Sequence, residues 1–152
     1  MLRLSKLTDY GTVVLAHMAS NPEQLYSATD IAQAVRLADP TVRKLLKLLS
    51  KGGITESHRG AQGGYRLSRN PDEISAAQII DTLEGPIAIT ECSTASNHCC
   101  LENSCALSGK WQKISHAIRN SLEHVSLADL AAPDFDPKLN LGNPLSNSAH
   151  VA

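Results

Sequence analysis

Residues 39–67 read DPTVRKLLKLLSKGGITESHRGAQGGYRL. Three kinds of local signal follow one another in this stretch, and together they decide the fold. Asp39-Pro40 is the strongest helix start in the chain. The aspartate is the expected N-cap, and proline suits the first turn, where its missing N–H would have no helical partner anyway. Val42, Leu45, Leu46 and Leu49 then recur at helical spacing and form one apolar stripe. Arg43, Lys44, Lys47 and Lys51 fall off that stripe. Gly52-Gly53 supplies the expected C-cap. Beyond it the pattern changes. Ile54–His58 reads as a strand, the run from Gly60 through Gly63 and Gly64 as a turn needing permissive backbone, and Tyr65–Ser68 as the returning strand. A basic helix followed by a glycine-tipped hairpin is the second half of a winged helix-turn-helix.

The segments on either side supply the rest. Upstream, Leu7, Tyr10, Val14 and Met18 predict a helix over 5–20, ended by Asn21-Pro22. Ser27-x-x-Asp30 resembles a capping box and starts a short helix with Ile31, Ala34 and Val35 on one face. A break at Leu37-Ala38 separates it from the basic helix. Downstream, Ser75-x-x-Gln78 opens a helix through Ile79, Ile80 and Leu83, closed by Gly85-Pro86. Leu107, Trp111, Ile114, Ile118, Leu122 and Val125 then step at threes and fours, close to a coiled-coil seam. On a chain this small the seam is expected to pack between subunits; the alternative is an intrachain amphipathic helix. Ser126-x-x-Asp129 starts a last helical turn, and the polar run from Pro133 reads as a disordered tail. The expected fold is mainly α with a small β-hairpin wing, plus a long C-terminal dimerisation helix. The expected division is a DNA-binding domain over 1–85, a cysteine loop over 86–105, a dimerisation helix over 106–131 and a tail over 132–152.

Charge points the same way. The chain has 152 residues and a net charge of −1, but the balance is uneven. Residues 36–69 hold eight Lys and Arg against two acids, a net of +6. Residues 70–105 hold six acids and no Lys or Arg. Segregation of this kind is expected where one face meets a polyanion. A helix entering the major groove needs a polar, basic outer face, for which Thr41, Arg43, Lys44 and Lys47 are the candidates. Arg43 could read a guanine edge or hold a phosphate. Arg59, at the hairpin turn, suits a narrow minor groove, while Gly60, Gly63, Gly64 and Tyr65 would bring the wing backbone to phosphates. No run approaches the roughly 20 apolar residues of a membrane span, and the N-terminus lacks the apolar core of a signal peptide. A cytoplasmic, membrane-free protein is therefore expected. Without a C-x-x-C pair, a nucleotide-phosphate loop or an acid–base pair, no enzyme is expected either.

All four cysteines lie within fourteen residues: Cys92, Cys99, Cys100 and Cys105. In the reducing cytoplasm such crowding favours metal chemistry over disulfides. The spacing C-x6-C-C-x4-C lacks the paired knuckles of structural zinc sites, though zinc stays open as an alternative. An iron–sulfur core spans several ångströms and tolerates looser loops. Cys92, Cys99 and Cys105 are the expected ligands. Cys100, adjacent to Cys99, is an alternate. A metal-free, redox-sensing thiol loop is the remaining reading.

With these features in view, the chain resembles the iron–sulfur winged-helix regulators typified by the IscR and NsrR repressors. The resemblance covers residues 1 to about 131. It rests on MLRLSKLTDYG, on IAQAV with its following helix, on the wing RGAQGGYRL, and on a cysteine loop followed by a long helix ending in SLADL. The loop most resembles the branch that regulates the SUF cluster-assembly operon. The resemblance implies a homodimeric transcriptional regulator, in the main a repressor, that binds a near-palindromic DNA operator. A cluster near the dimer junction would report iron–sulfur status, oxidants or nitric oxide. The long helices would cross through Leu107, Trp111, Ile114, Ile118 and Leu122. In NsrR-like members an aspartate of the partner's first helix completes the coordination, and Asp9 stands at that position. The chain departs from the IscR pattern in two places. Ser108 stands where a ligand histidine would follow the last cysteine, and the first cysteine gap is one residue longer. Three cysteines with an oxygen ligand favour [4Fe–4S] over [2Fe–2S].

Overall fold

The computed structural model describes residues 4–60, 63–87 and 108–136. Among these residues, six α-helices and one hairpin follow in order: α1 (Lys6–Ala19), α2 (Ala28–Val35), α3 (Asp39–Lys51), β1 (Thr55–His58), β2 (Gly64–Leu67), α4 (Ala76–Leu83), α5 (Ser108–Glu123) and α6 (Leu127–Ala131). A 3-10 turn, Pro71–Glu73, precedes α4. This is the mainly helical, hairpin-winged architecture that the sequence predicts.

The helix starts follow local chemistry. Ser5, Ser27, Ser75 and Ser126 each accept a hydrogen bond from the backbone N–H three residues on, satisfying one of the orphan donors of the first turn. Ser75/Gln78 and Ser126/Asp129 are complete capping boxes. The start of α3 departs from expectation. Its N-cap is Ala38, with extended backbone and no side-chain cap bond, and Asp39 is already the first helical residue. From that position the carboxylate points along the helix instead of folding back on it, and it bonds Arg43 and Thr29. The α2–α3 turn closes through Arg36 in the left-handed region (φ 55°).

The core is aliphatic, as the scarcity of aromatics requires. Val14, Leu15 and Met18 of α1, Ile31 of α2, and Val42, Leu45, Leu46 and Leu49 of α3 are fully buried together with Ile54, Ile74, Ile79 and Leu127. Each such side chain contributes about 1.5–3 kcal/mol on burial. The stripe predicted for α3 is the stripe buried, which turns Arg43, Lys44 and Lys47 outward.

Two backbone bridges hold the outlying pieces. Tyr26 and Tyr65 exchange N–H···O bonds of 2.9 and 2.8 Å, tying the wing to the α1–α2 connection. Ser75 and Ser126 form the equivalent bridge between the starts of α4 and α6, through Ala76 N to Val125 O (2.8 Å) and Leu127 N to Ile74 O (2.7 Å). α6 packs on α1 and α4 on α5. Among the described residues no helix is long and apolar enough to cross a membrane.

Candidate nucleic-acid interface

The outward face of α3 and the wing carry the basic side chains, and their electrostatics differ residue by residue. Arg43 is 59% exposed yet anchored. Its Nε donates to Asp39 Oδ2 at 2.5 Å, and its Nη2 donates to Asp39 Oδ1 at 3.4 Å and to Thr29 Oγ1 at 3.3 Å. Thr29 in turn donates to Asp39 Oδ1 at 3.1 Å. The Arg43 guanidinium holds the Asp39 carboxyl below the usual carboxylate range, and the carboxylate raises Arg43 further. Of the five guanidinium donors, this leaves the pair on Nη1. A bidentate grip on guanine through both terminal nitrogens would require Thr29 to let go, whereas a phosphate oxygen needs only Nη1.

Thr41 is half-buried, while Lys44 and Lys47 are exposed; among the described residues neither lysine is ion-paired. Arg59, one residue beyond β1, is likewise exposed and has no ion pair among the described residues. One base that the charge count included, Arg66, is engaged elsewhere, as is the neighbouring His58. Arg66 pairs with Glu56, and His58 Nε2 lies 3.1 Å from the same carboxylate. Glu56 is held below the ordinary glutamate value, first by Arg66 and then by His58.

The hairpin pairs Thr55 with Leu67 through to His58 with Gly64. Gly60 (φ 123°) turns the chain, and the Gly63 N–H donates to the Gly60 carbonyl at 2.9 Å. Glycine at 64 has an intrachain reason: a Cβ there would lie 2.6 Å from the Tyr26 carbonyl oxygen, so the bridge to Tyr65 requires its absence. Tyr65 is half-buried beside it. The structure thus brings Thr41, Arg43, Lys44 and Lys47 onto one helix and Arg59, Gly60, Gly63, Gly64 and Tyr65 onto one hairpin.

Thr29 and Tyr26 were not evident from sequence. Each acts over a separation that no local pattern reports.

Of the other candidates, Cys92, Cys99, Cys100, Cys105 and Leu107 lie outside the described residues. Asp9 is exposed in the first turn of α1. It lines a cleft of about 440 Å³, walled by Leu4, Thr12, Ile79, Ile80, Leu122 and Leu130. On α5, Trp111 is 39% and Ile114 44% exposed, Ile118 and Leu122 are half-buried, and Ser115 and Ser121 are buried. The helix therefore leaves part of its apolar stripe to solvent while burying small polar residues, the reverse of a helix satisfied within one chain.

A family profile described as an iron-dependent transcriptional regulator, Rrf2, matches residues 4–133. The chain is 28% identical to the HTH-type transcriptional regulator NsrR of Shouchella clausii, over 89% of this chain and 92% of that one. Among solved structures it is similar to CymR, the global cysteine regulator of B. subtilis, at 32% identity and a TM-score of 0.65, over 86% of this chain and 97% of that one. It is also similar to T. potens IscR, at 30% identity and a TM-score of 0.63, over 85% of each chain.

Proposed function

The chain belongs to the Rrf2 family of transcriptional regulators, and from that premise we propose that it is a homodimeric repressor whose operator affinity depends on an iron–sulfur cluster. Its targets on this reading are the genes of iron–sulfur cluster assembly. The observation that carries the reading is the donor set: four thiols within fourteen residues, in a chain matched by an iron-dependent regulator family. Cys92, Cys99 and Cys105 are the ligands proposed, with Cys100 as alternate. The exposed Asp9 carboxylate, reaching across from the partner subunit, is the proposed fourth. Soft thiolates suit iron–sulfur chemistry, and a single oxygen ligand leaves one position exchangeable, as a sensor requires. [4Fe–4S] fits this set better than [2Fe–2S].

The DNA-binding half of the reading draws on Lys44, Lys47 and Arg59, which have no ion pair among the described residues, supported by Arg43 Nη1. Lysines without acid partners are free to replace counterions on phosphates, which gives affinity and register. Dimerisation draws on the half-open stripe of Trp111, Ile114, Ile118 and Leu122. Residues 1–85 would form the DNA-binding domain and 86–105 the sensing loop.

A second reading is favoured by the 32% identity to CymR, a protein whose name ties it to cysteine rather than to a cluster. On that reading the thiols respond to cysteine or oxidant status without metal. Iron, acid-labile sulfide and zinc, measured on protein purified without oxygen, separate the two. Iron and sulfide in near-equal amounts, lost in the Cys92→Ala/Cys99→Ala/Cys105→Ala variant, are expected. Retention of both in that variant would overturn the ligand assignment. Metal-free wild-type protein that still binds its operator in a thiol-dependent way would move the function to the second reading.

A further inference from the structure

The last turn of α4 and its C-cap touch four parts of the molecule with four consecutive residues. Asp81 faces α5 and the chain beyond α4. Its Oδ2 pairs with Arg119 Nη1, and its Oδ1 accepts the Ile87 N–H at 3.3 Å. Ile87 is the last described residue before the segment that carries the cysteines. Thr82 faces α3: a Cβ at Gly52, the C-cap of the basic helix, would lie 2.7 Å from Thr82 Oγ1 and closer still to its methyl. Leu83 faces α1 and packs into the space left by the missing side chain of Gly11. Glu84 closes the set. Its Oε1 accepts both the Ser5 N–H and the Thr8 hydroxyl at 2.6 Å, and Thr8 directly precedes Asp9. The Thr8 bond first, and the Ser5 N–H second, hold the Glu84 carboxyl below its usual range.

These contacts are tight in the way that transmits displacement. Gly52 against Thr82 and Gly11 against Leu83 leave no space for a methyl group; Leu83 can yield at its terminal methyl, but the Gly52 contact reaches Thr82 Cβ and leaves little room for compression. Asp81 is bound on both oxygens, so displacing either Ile87 or Arg119 pulls on the carboxylate that holds the other. Arg119 is half-buried and also donates to Glu123 at 3.0 Å, which keeps its guanidinium on this face of α5.

We infer that the last turn of α4 with its C-cap, residues 81–84, is the joint through which the cysteine segment and the dimer helix act on the recognition helix, with Asp81 as its positioning residue. This deepens the proposed function and rests on it for the identity of the signal. It does not rest on it for the mechanical link. By linkage, operator binding at α3 must act back on α5 through the same joint with equal coupling.

The test uses the full chain, with two substitutions that cut the joint from opposite sides, Asp81→Asn and Arg119→Gln. Arg119→Lys keeps the charge. Amide hydrogen exchange is followed over residues 48–54, at the α3 C-terminus, and over 14–18 of α1 as an internal control. Operator affinity is measured for the anaerobically purified protein and for the Cys92→Ala/Cys99→Ala/Cys105→Ala background. Asp81→Asn is expected to speed exchange at 48–54 at least threefold while leaving 14–18 unchanged, and Arg119→Lys to restore most of the protection lost in Arg119→Gln. The ratio of the two operator affinities should fall at least threefold toward one. A purely structural role would lower both affinities together and leave the ratio intact, which would overturn the inference. Wild-type protection at 48–54 in both cutting variants would overturn it as well. If the wild-type ratio is already one, the sensing reading fails. The exchange at 48–54 then decides the joint alone: faster exchange upholds it and unchanged exchange removes it. Should Asp81→Asn not fold, Arg119→Gln carries the same test from the surface of α5.

Discussion

Gly52→Ala isolates the contact between α3 and α4 from every charge in the molecule. The backbone at Gly52 (φ −82°, ψ 0°) is open to alanine, so the cost is steric. The new Cβ would sit 2.7 Å from Thr82 Oγ1 and 3.0 Å from Thr82 Cβ, where a comfortable carbon contact is about 3.5–4.0 Å. Rotating Thr82 about χ1 exchanges methyl for hydroxyl without clearing the site, and its Cβ does not move at all. The helix ends must therefore separate by the better part of an ångström. Overpacking of this kind costs about 1–3 kcal/mol, and the lower entropy of an unfolded alanine offsets about 0.4–1 kcal/mol. The net loss is about 0.5–2 kcal/mol. For a chain of this size that is a fall in Tm of about 2–6 °C. Thermal unfolding followed by circular dichroism, at one fixed protein concentration because subunit association contributes, reads it directly. Thr82→Ala alone should be nearly neutral, since alanine is the better helix former. Combined with Gly52→Ala it should recover most of the loss. A Gly52→Ala protein as stable as wild type, or a double variant no better than the single, would refute the packing described.

Three other outcomes are expected. Lys47→Ala and Arg59→Ala should each weaken DNA binding about equally across sequences and lower the slope of log affinity against log salt by about 1; an unchanged slope takes the residue out of the interface. Asp39→Ala releases Arg43 and removes a negative charge beside the DNA, so affinity for non-operator duplex should rise and the operator/non-operator ratio should fall in competition titrations. A preserved ratio would mean that anchoring Arg43 has no part in recognition. Glu84 has a folded pKa below its unfolded value, so its contribution is complete above the unfolded value of about 4.3 and is lost as pH falls through the folded one. Glu84→Gln, measured by urea unfolding at pH 7 and near pH 3.5, should therefore lose less stability on acidification than wild type. Equal losses would show that the carboxylate is not bound as described.

What the sequence made legible was whatever a few neighbouring residues decide. Ser75-x-x-Gln78 and Ser126-x-x-Asp129 are capping boxes on paper and in space, because both partners lie in one turn. The apolar stripe of α3 needed only its own periodicity. Asp39 misled because capping depends on which residue takes the extended backbone, and a slip of one residue turns an N-cap into the anchor of Arg43. The glycine at 64 was legible as a glycine but not for its reason, since Tyr26 lies 38 positions upstream. The joint in α4 was invisible for the same cause. Its residues look like the frayed end of a short amphipathic helix, and every contact that gives them a role comes from elsewhere in the chain.

The bridge between Tyr26 and Tyr65 has a consequence for how a dimer would meet DNA. Clamped to the α1–α2 connection and packed on α3, the wing is tied to the recognition helix, so each protomer of a dimer would present helix and hairpin together as one jaw. Adjustment is left to the hinge between two jaws. Such a dimer would behave as a caliper, measuring the distance and helical phase between half-sites more strictly than the bases within either one. Inserting a single base pair at the centre of a near-palindromic site should then cost more binding than a substitution at any one contacted base pair.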